Sequence, residues 1–171
     1  ALFERNGFDP QRVYSPQGEY GLGQCRRPCT PDTWPSKHWI DNLLTKVDCN
    51  TQMLADQDLP RCPNCGGPTF FNIRCAHWFV EEPWEKGQRN WEHWLAQNRT
   101  NNIVAIDIGS GFNTPMWVRW PLEQITTLQP GNTLIRLNRD HPDVPAQIKA
   151  QSICFQEDHL DVLTKLIQHL H

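Results

Sequence analysis

The sequence predicts an α/β protein in which a doubly wound parallel sheet is joined to a small metal-binding module. The sheet is predicted by two near-continuous apolar segments, at 103–108 and 133–138. A Gly-Ser-Gly turn at 109–111 follows the first of them. Two close cysteine pairs, in 25–29 and 62–65, predict the module.

The bulk composition excludes several classes of function. A chain of 171 residues can bury one substantial core, and a formal net charge of −3 with a pI near 6.2 provides no basic field for nucleic acid. No apolar run reaches the roughly 18 residues of a membrane span. Because the chain begins with neither Met nor an apolar leader, we expect a fragment, and its paired thiols favour the reducing cytoplasm.

The early elements follow from local patterns. Residues 2–7 resemble a last helical turn closed by Gly7, and 13–14 is a candidate strand. Residues 36–48 favour a helix with Ser36 as N-cap, and 70–74 favours a strand. A further helix is expected to start at 81–84, with its tryptophans Trp84, Trp91 and Trp94 in the core.

The cysteine pairs have the spacing of a zinc site. Each pair supplies two adjacent corners of a tetrahedron, whereas disulfides across such small loops would be strained. The predicted zinc ligands are Cys25, Cys29, Cys62 and Cys65. Four thiolates leave no open position for water, so the metal is expected to be structural. The spare cysteines are expected to be buried and unreactive: Cys49, Cys75 and Cys154.

The last third of the chain alternates strands and helices. The strand at 103–108 is expected to be covered on both faces, and Thr114-Pro115 opens a helix as N-cap and N1. Strands at 133–138 and 152–155 follow, and a helix from about Asp158 closes the chain. The apolar positions of that helix are Leu160, Leu163, Leu166, Ile167 and Leu170.

The turn at 109–111 has the position of a nucleotide site. Open α/β sheets bind nucleotides at the carboxyl ends of their strands, and glycine lets a phosphate or ribose approach the backbone. A simple strand-to-helix turn explains Gly109-Ser110-Gly111 equally well. Asn138, at the end of the next strand, could bind a ribose hydroxyl or simply form a turn.

Together these residues resemble the sirtuin family, across essentially the whole chain. Sirtuins place a His-Gly loop before a four-cysteine zinc module, then a strand closing on a Gly-Ser turn, then Ile-Asn. The corresponding features here are Gln17-Gly18, the four cysteines, Gly109-Ser110-Gly111 and Leu137-Asn138. The resemblance implies a Rossmann-like sheet that lacks its N-terminal half, with the first Gly-rich loop and the catalytic Asn. It implies a Rossmann segment at 1–24, a zinc module at 25–69 and an NAD-binding Rossmann-like segment at 70–171.

Gln17 places the resemblance in one branch of the family. Deacylating sirtuins use His there as a general base, and an amide cannot accept that proton near neutral pH. The macrodomain-linked class M sirtuins, which are protein ADP-ribosyltransferases, carry this Gln. Matching stretches of that branch occur at 17–25, 72–74 and 113–115.

The resemblance implies an NAD+-dependent protein mono-ADP-ribosyltransferase. Gln17 would orient the nicotinamide ribose, and Arg74 would bind the acceptor or a phosphate oxygen; an ordinary ion pair is the alternative for Arg74. The implied cofactor-binding residues are Gly109, Ser110, Gly111, Asn113, Asn138 and Cys154. The implied partners are an acceptor of the lipoyl-carrier type, like the glycine-cleavage H protein, and a macrodomain. An NAD+-dependent deacylase and a non-catalytic zinc-containing binding domain stay open as alternatives.

Overall fold

The computed structural model describes residues 2–169, which form helices and strands in mixed α/β order. The α-helices are α1 Leu2–Arg5, α2 Lys37–Leu44, α3 Glu85–Gln97, α4 Arg119–Leu128 and α5 His159–His169. The strands are β1 Gly18–Cys25, β2 Trp34–Pro35, β3 Thr69–Ile73, β4 Val104–Ile108, β5 Thr133–Leu137 and β6 Ser152–Phe155. Within residues 2–169, none of the helices is long and apolar enough to cross a membrane.

The chain divides into two compact units between Trp94 and Leu95. The first contains an antiparallel sheet in the order β2-β1-β3, and the second a parallel sheet in the order β4-β5-β6. The division differs in position from the predicted boundaries after residues 24 and 69, and those boundaries stay predictions.

The antiparallel sheet has an irregular register. Gly18 pairs with Ile73 and Glu19 with Asn72, but the next pair is Gly23 with Phe71, so β1 carries extra residues between Glu19 and Gly23. Such a bulge bends its strand and sharpens the local twist. The expected strand at 13–14 is wrong: β1 begins five residues after Val13, at Gly18, beyond a turn at 16–17.

The helices of the first unit agree in place with the prediction but differ in detail. Helix α1 closes with Gly7 at φ +84°, whereas α2 ends at Leu44 rather than at residue 48. Ser36 precedes α2, but its hydroxyl donates to the carbonyl of Tyr20, 2.6 Å away, instead of capping the helix. The tryptophans of α3 are not core residues: Trp91 and Trp94 stack at 5.6 Å, and Trp94 is exposed.

The parallel sheet contains the three strands that the sequence predicted in this unit. Its core is Ala105, Leu134 and Ile148, with Leu122 and Val144 packed against them. The expectation that β4 is covered on both faces is wrong. Burial alternates along the strand, and Val104, Ile106 and Ile108 are 60%, 57% and 50% exposed, because only the alternate residues face the core. Leu170 lies outside the described residues.

A buried ion network lies under the parallel sheet's carboxyl end. Arg136 on β5 donates from Nε to Asp107 Oδ2 at 2.8 Å and from Nη2 to Glu123 Oε1 at 2.9 Å. The side chains of Arg136 and Asp107 are fully buried. Arg119, on α4, also lies against Glu123, with its Nε 3.5 Å from Oε1. Burial first, and then the charge of Arg136, lower the pKa of Arg119 below its usual value.

Arg136→Ala should destabilise the second unit by about 3–5 kcal/mol, because the buried carboxylate of Asp107 would lose its partner. The matched control is Arg139→Ala, which removes an exposed arginine and should change stability by less than about 0.5 kcal/mol. Amide hydrogen exchange of β4 in the intact protein measures both effects. Equal protection of β4 in the two variants would contradict the assignment.

Candidate functional site

Gln17 lies in a tight turn that leads directly into β1. The Gly18 N–H donates to the carbonyl of Ser15 at 3.0 Å, and Gly18 has φ +74°. A Cβ added to Gly18 would lie 2.1 Å from the backbone oxygen of Asn72. Glycine is therefore required at position 18, both by the positive φ and by the close approach of β3.

Arg74 holds the Gln17 turn against the end of β3. Its backbone N–H donates to the carbonyl of Gln17 at 2.9 Å, and its Nε donates to the carbonyl of Pro16 at 2.9 Å. The guanidinium also pairs with Glu81 and lies 4.3 Å from the ring centroid of Phe79. The structure thus gives Arg74 a positioning role. Its predicted contact with an acceptor or a phosphate oxygen stays a prediction.

A pair of buried amides joins β1 and β3 behind this turn. The Asn72 amide donates to Gln24 Oε1 at 2.7 Å and to the carbonyl of Val80 at 2.9 Å, and neither side chain is exposed. Trp84 Nε1 donates to Asn72 Oδ1 at 2.7 Å. Gln24 donates in turn to the carbonyl of Trp78 at 2.7 Å. The two amides therefore fix the segment 78–84 to the sheet.

The structural role of Gln24 and Asn72 was not predicted from the sequence. Both residues stood inside motif matches at 17–25 and 72–74, but nothing in a single sequence indicates that two amides so far apart pair in a buried site. Gln24 and Asn72 are 48 residues apart in the chain. The available signal was a glutamine directly before a metal-spaced cysteine.

The four paired cysteines converge at the far end of β1 and β3. One ligand atom from each of them lies within 4.8 Å of the others, so the cluster could hold a metal ion. Cys25 Sγ lies 3.7 Å from Cys65 Sγ, and Cys29 Sγ lies 3.6 Å from Cys62 Sγ. A tetrahedron with Zn–S bonds of about 2.3 Å has S–S edges of about 3.8 Å, so the donor set fits zinc in type and in spacing.

The pKa values of two thiols of the cluster, Cys62 and Cys29, are shifted in opposite directions. Burial raises the pKa of Cys62, but the N–H groups of Cys65 and Asn64 outweigh it and lower the pKa to about 7. Asn64 also lowers the pKa of Cys29, yet burial and bonds to the other thiols raise it to about 12. Metal binding needs thiolates, and of these two thiols Cys62 loses its proton at the lower pH.

The other three cysteines are exposed rather than buried, which corrects the expectation for Cys49, Cys75 and Cys154. Cys154 lies on β6, in parallel register with Arg136 on β5. Strand β6 forms one edge of the sheet in the described residues.

The second unit places Gly109, Ser110 and Asn138 together at the carboxyl edge of its sheet. The Gly109 N–H donates to the carbonyl of Leu137 at 2.9 Å, and Gly109 has φ +73°. The Asn138 amide donates to the carbonyl of Ser110 at 2.8 Å. The Ser110 hydroxyl donates to Asp107 Oδ2 at 2.6 Å. The buried ion network thus supports this turn from beneath.

Asn138 uses its side chain chiefly as a turn former. Its Oδ1 accepts hydrogen bonds from the N–H groups of His141 at 2.8 Å and Asp140 at 3.1 Å. Gly111 and Asn113 are exposed, and a Cβ on Gly111 would meet nothing within 4 Å. The backbone of this turn is therefore open to a ligand, and the predicted cofactor contacts of these residues stay predictions.

Two curated proteins are similar to this chain. One is named "Probable bifunctional ADP-ribose hydrolase/ADP-ribosyltransferase", from Fusarium oxysporum f. sp. cubense, and is 33% identical over 141 residues. The other is named "Protein ADP-ribosyltransferase", from Staphylococcus aureus, and is 27% identical over 176 aligned residues. Both relatives are named as ADP-ribosyltransferases. The chain is thus similar to part of two proteins that carry this name.

The alignments cover most of this chain but only part of each relative. They include 80% of the chain and 24% of the Fusarium protein, and 98% of the chain and 53% of the Staphylococcus protein. The chain thus spans about a quarter and about half of the lengths of these relatives. No protein-family profile matches it.

Replacing Cys62 by Ser should abolish metal binding and unfold the segment between the cysteine pairs. Metal ligation supplies about 10–16 kcal/mol in small zinc modules, and the Cys62 thiol is a buried member of the cluster. Metal content by mass spectrometry and hydrogen exchange of residues 25–65 measure the effect. Cys49→Ser, at an exposed thiol outside the cluster, should retain both metal and protection. A metal-free Cys62→Ser protein with full protection would contradict the assignment.

Gly18→Ala should destabilise the first unit more than Gly7→Ala. Both glycines have positive φ, so each substitution costs about 1–3 kcal/mol in backbone strain. Only at Gly18 would the new Cβ also collide with backbone, because the space around Gly7 is open. Urea titration followed by tryptophan fluorescence measures both variants. If the two lost equal stability, the close approach of β3 to the turn would be unsupported.

Proposed function

We propose that the protein containing this chain is an NAD+-dependent protein mono-ADP-ribosyltransferase of sirtuin type. It would transfer ADP-ribose to a side chain of an acceptor protein and release nicotinamide. The observation that carries the proposal is the amide of Gln17 in a turn that glycine and arginine contacts hold in place. The names of the two relatives support the activity at the level of ADP-ribosyltransferase.

The chemistry of Gln17 favours transfer over deacylation. In the proposed reaction the bond between ribose C1′ and the nicotinamide nitrogen breaks, and its electron pair leaves with nicotinamide. A nucleophilic atom of the acceptor side chain then bonds to C1′. An amide can orient a ribose hydroxyl through its N–H and C=O groups, but it cannot take the hydroxyl proton. A deacylase needs that proton removed, because the hydroxyl itself attacks the acyl group.

Arg74 would act on this chemistry through the turn. Its hydrogen bonds to the carbonyls of Pro16 and Gln17 fix the backbone on which the Gln17 side chain stands. Its charge is already paired with Glu81 and stacked on Phe79. We therefore assign Arg74 a positioning role. Its contact with the acceptor stays an expectation.

We infer that the parallel sheet belongs to a Rossmann-like sheet that binds NAD+ at its carboxyl edge. Support comes from the position of the Gly109 turn beside Asn138, since ligands of open α/β sheets bind at that edge. The Ser110 hydroxyl donates to Asp107, so its oxygen could still accept a hydrogen bond from a ribose hydroxyl. Gly111 and Asn113 would line the open side of the turn, and Cys154 would contribute from β6.

We propose Zn2+ for the cysteine cluster, in a structural role. The four thiols Cys25, Cys29, Cys62 and Cys65 would fill its coordination tetrahedron, so no position is left to activate water. When bound, zinc would join the two cysteine-bearing loops. Backbone pairing also positions the cysteines: Cys25 is the last residue of β1, and Arg61 and Pro68 form a β-bridge close to the second cysteine pair.

Two partners belong to the proposal. The acceptor would be a lipoyl-carrier protein of the glycine-cleavage H type, as the sirtuin branch implies. A macrodomain would remove the mark, and the Fusarium relative's name joins an ADP-ribose hydrolase to an ADP-ribosyltransferase.

Gln17→Ala in the full-length protein should lower ADP-ribose transfer by about 10²-fold or more, because an unoriented ribose loses the alignment of the reacting atoms. Labelled NAD+ and the native acceptor provide the assay, with intact-mass spectrometry of the product. Gln57→Ala, an exposed glutamine of the same unit, is the matched control and should leave turnover unchanged.

Three results would count against this assignment. One is unchanged transfer by Gln17→Ala, which would remove the amide from the reaction. Another is brisk NAD+-dependent removal of acyl groups from lysine with no labelled acceptor, which would favour the deacylase. A failure to bind NAD+ at all, in a calorimetric titration, would favour the non-catalytic domain.

A further inference from the structure

Positive charge is concentrated around the metal cluster, although the chain as a whole is acidic. The segments 24–31 and 59–68, which contain the four cysteines, also contain three arginines and no Asp or Glu, whereas the formal net charge of the chain is −3. The three are Arg26, Arg27 and Arg61, and among residues 2–169 none of them forms an ion pair with a carboxylate.

Backbone pairing brings these arginines to one surface. The Arg26 N–H donates to the carbonyl of Pro68 at 3.0 Å, and Arg61 forms an antiparallel bridge with Pro68 from the other side. Residues that face one another across antiparallel strands place their side chains on the same face. Arg26 and Arg61 therefore flank Pro68 in one row, and both are exposed.

Aromatic rings adjoin this row of cations. Phe70 and Trp78 meet edge to face, with ring centroids 5.3 Å apart, and Phe70 is 38% exposed. A concavity of about 440 Å³ opens here, lined by Arg26, Arg27, Pro68 and Trp78. Gln24 anchors the carbonyl of Trp78 from the interior. The rings are thus held in place beside cations that are free to bind.

We propose that this surface docks an acidic segment of a partner protein. We name it the basic patch, and it consists of Arg26, Arg27, Arg61, Pro68, Phe70 and Trp78. Carboxylates of the partner would bind the guanidinium forks, and an apolar side chain between them would pack on Trp78. Arginine and tryptophan are the residue types that carry most binding energy in protein interfaces.

Charge complementarity selects a protein over a nucleic acid. Three cations supply few phosphate contacts, and the affinity for a nucleic acid depends on the number of phosphates that the protein neutralises. A short acidic segment needs only two or three guanidinium partners. The inference is independent of the proposed transferase activity, because docking requires neither NAD+ nor Gln17.

The test measures binding of a fluorescein-labelled peptide of repeated Glu-Asp-Leu to the full-length, metal-loaded protein by fluorescence anisotropy. The paired variant Arg26→Glu/Arg27→Glu should weaken binding at least about tenfold, since two exposed ion pairs become repulsive. The matched control Arg12→Glu/Arg99→Glu also reverses two exposed arginines and should change the affinity less than about twofold. Trp78→Ala should weaken binding in high salt as well as in low salt, because its contact is apolar.

The metal content of every variant is measured by mass spectrometry, because the substituted arginines lie close to the cysteine cluster and their loss could release the metal. If charge reversal releases the metal, the neutral pair Arg26→Gln/Arg27→Gln replaces it in the same assay. The proposal is overturned if the acidic peptide does not bind below millimolar concentration, or if patch and control variants lose affinity equally. It is also overturned if single-stranded oligo(dT) competes better than a second acidic peptide.

Discussion

The first unit depends on one buried contact, the hydrogen bond between the amides of Gln24 and Asn72. Burying two amides is favourable only when their donors and acceptors are satisfied, and here they are, by each other and by Trp78, Val80 and Trp84. Replacing either amide would leave the other unpaired, at a cost of about 1–3 kcal/mol. The contact therefore fixes the pairing of β1 with β3 more sharply than apolar packing could.

A candidate functional group lies at each end of the β1–β3 strand pair. At one end β1 runs into Cys25 of the thiol cluster, and at the other it starts from the Gln17 turn. Arg74 follows directly on β3 and holds the turn from its side. Metal bound to the thiols would prevent the cluster end of the pair from fraying. We expect the Gln17 turn to gain order from the metal through the strands, with no direct contact between them.

The sequence predicted features that depend on neighbouring residues and missed those that depend on distant ones. The thiol cluster and the strands near 104–108, 133–137 and 152–155 were visible because spacing and apolar runs are local properties. Strand β1 was missed because its glycines have low strand propensity, and Val13-Tyr14 was wrongly preferred. The buried ion pair of Asp107 and Arg136 was missed too, because a charged residue within an apolar run does not indicate which distant residue it pairs with.

The same design recurs in the second unit, where Arg136 and Asp107 lie beneath the turn at Ser110 as the amides lie behind the turn at Gln17. In each unit a hydrogen-bonded polar network lies directly under a candidate ligand-binding loop. Apolar residues of equal volume would often be as stable, so stability alone does not explain the choice. Hydrogen bonds have direction, and a loop resting on them has one position instead of several. A reaction that relies on orientation rather than on a strong base needs that fixed position most.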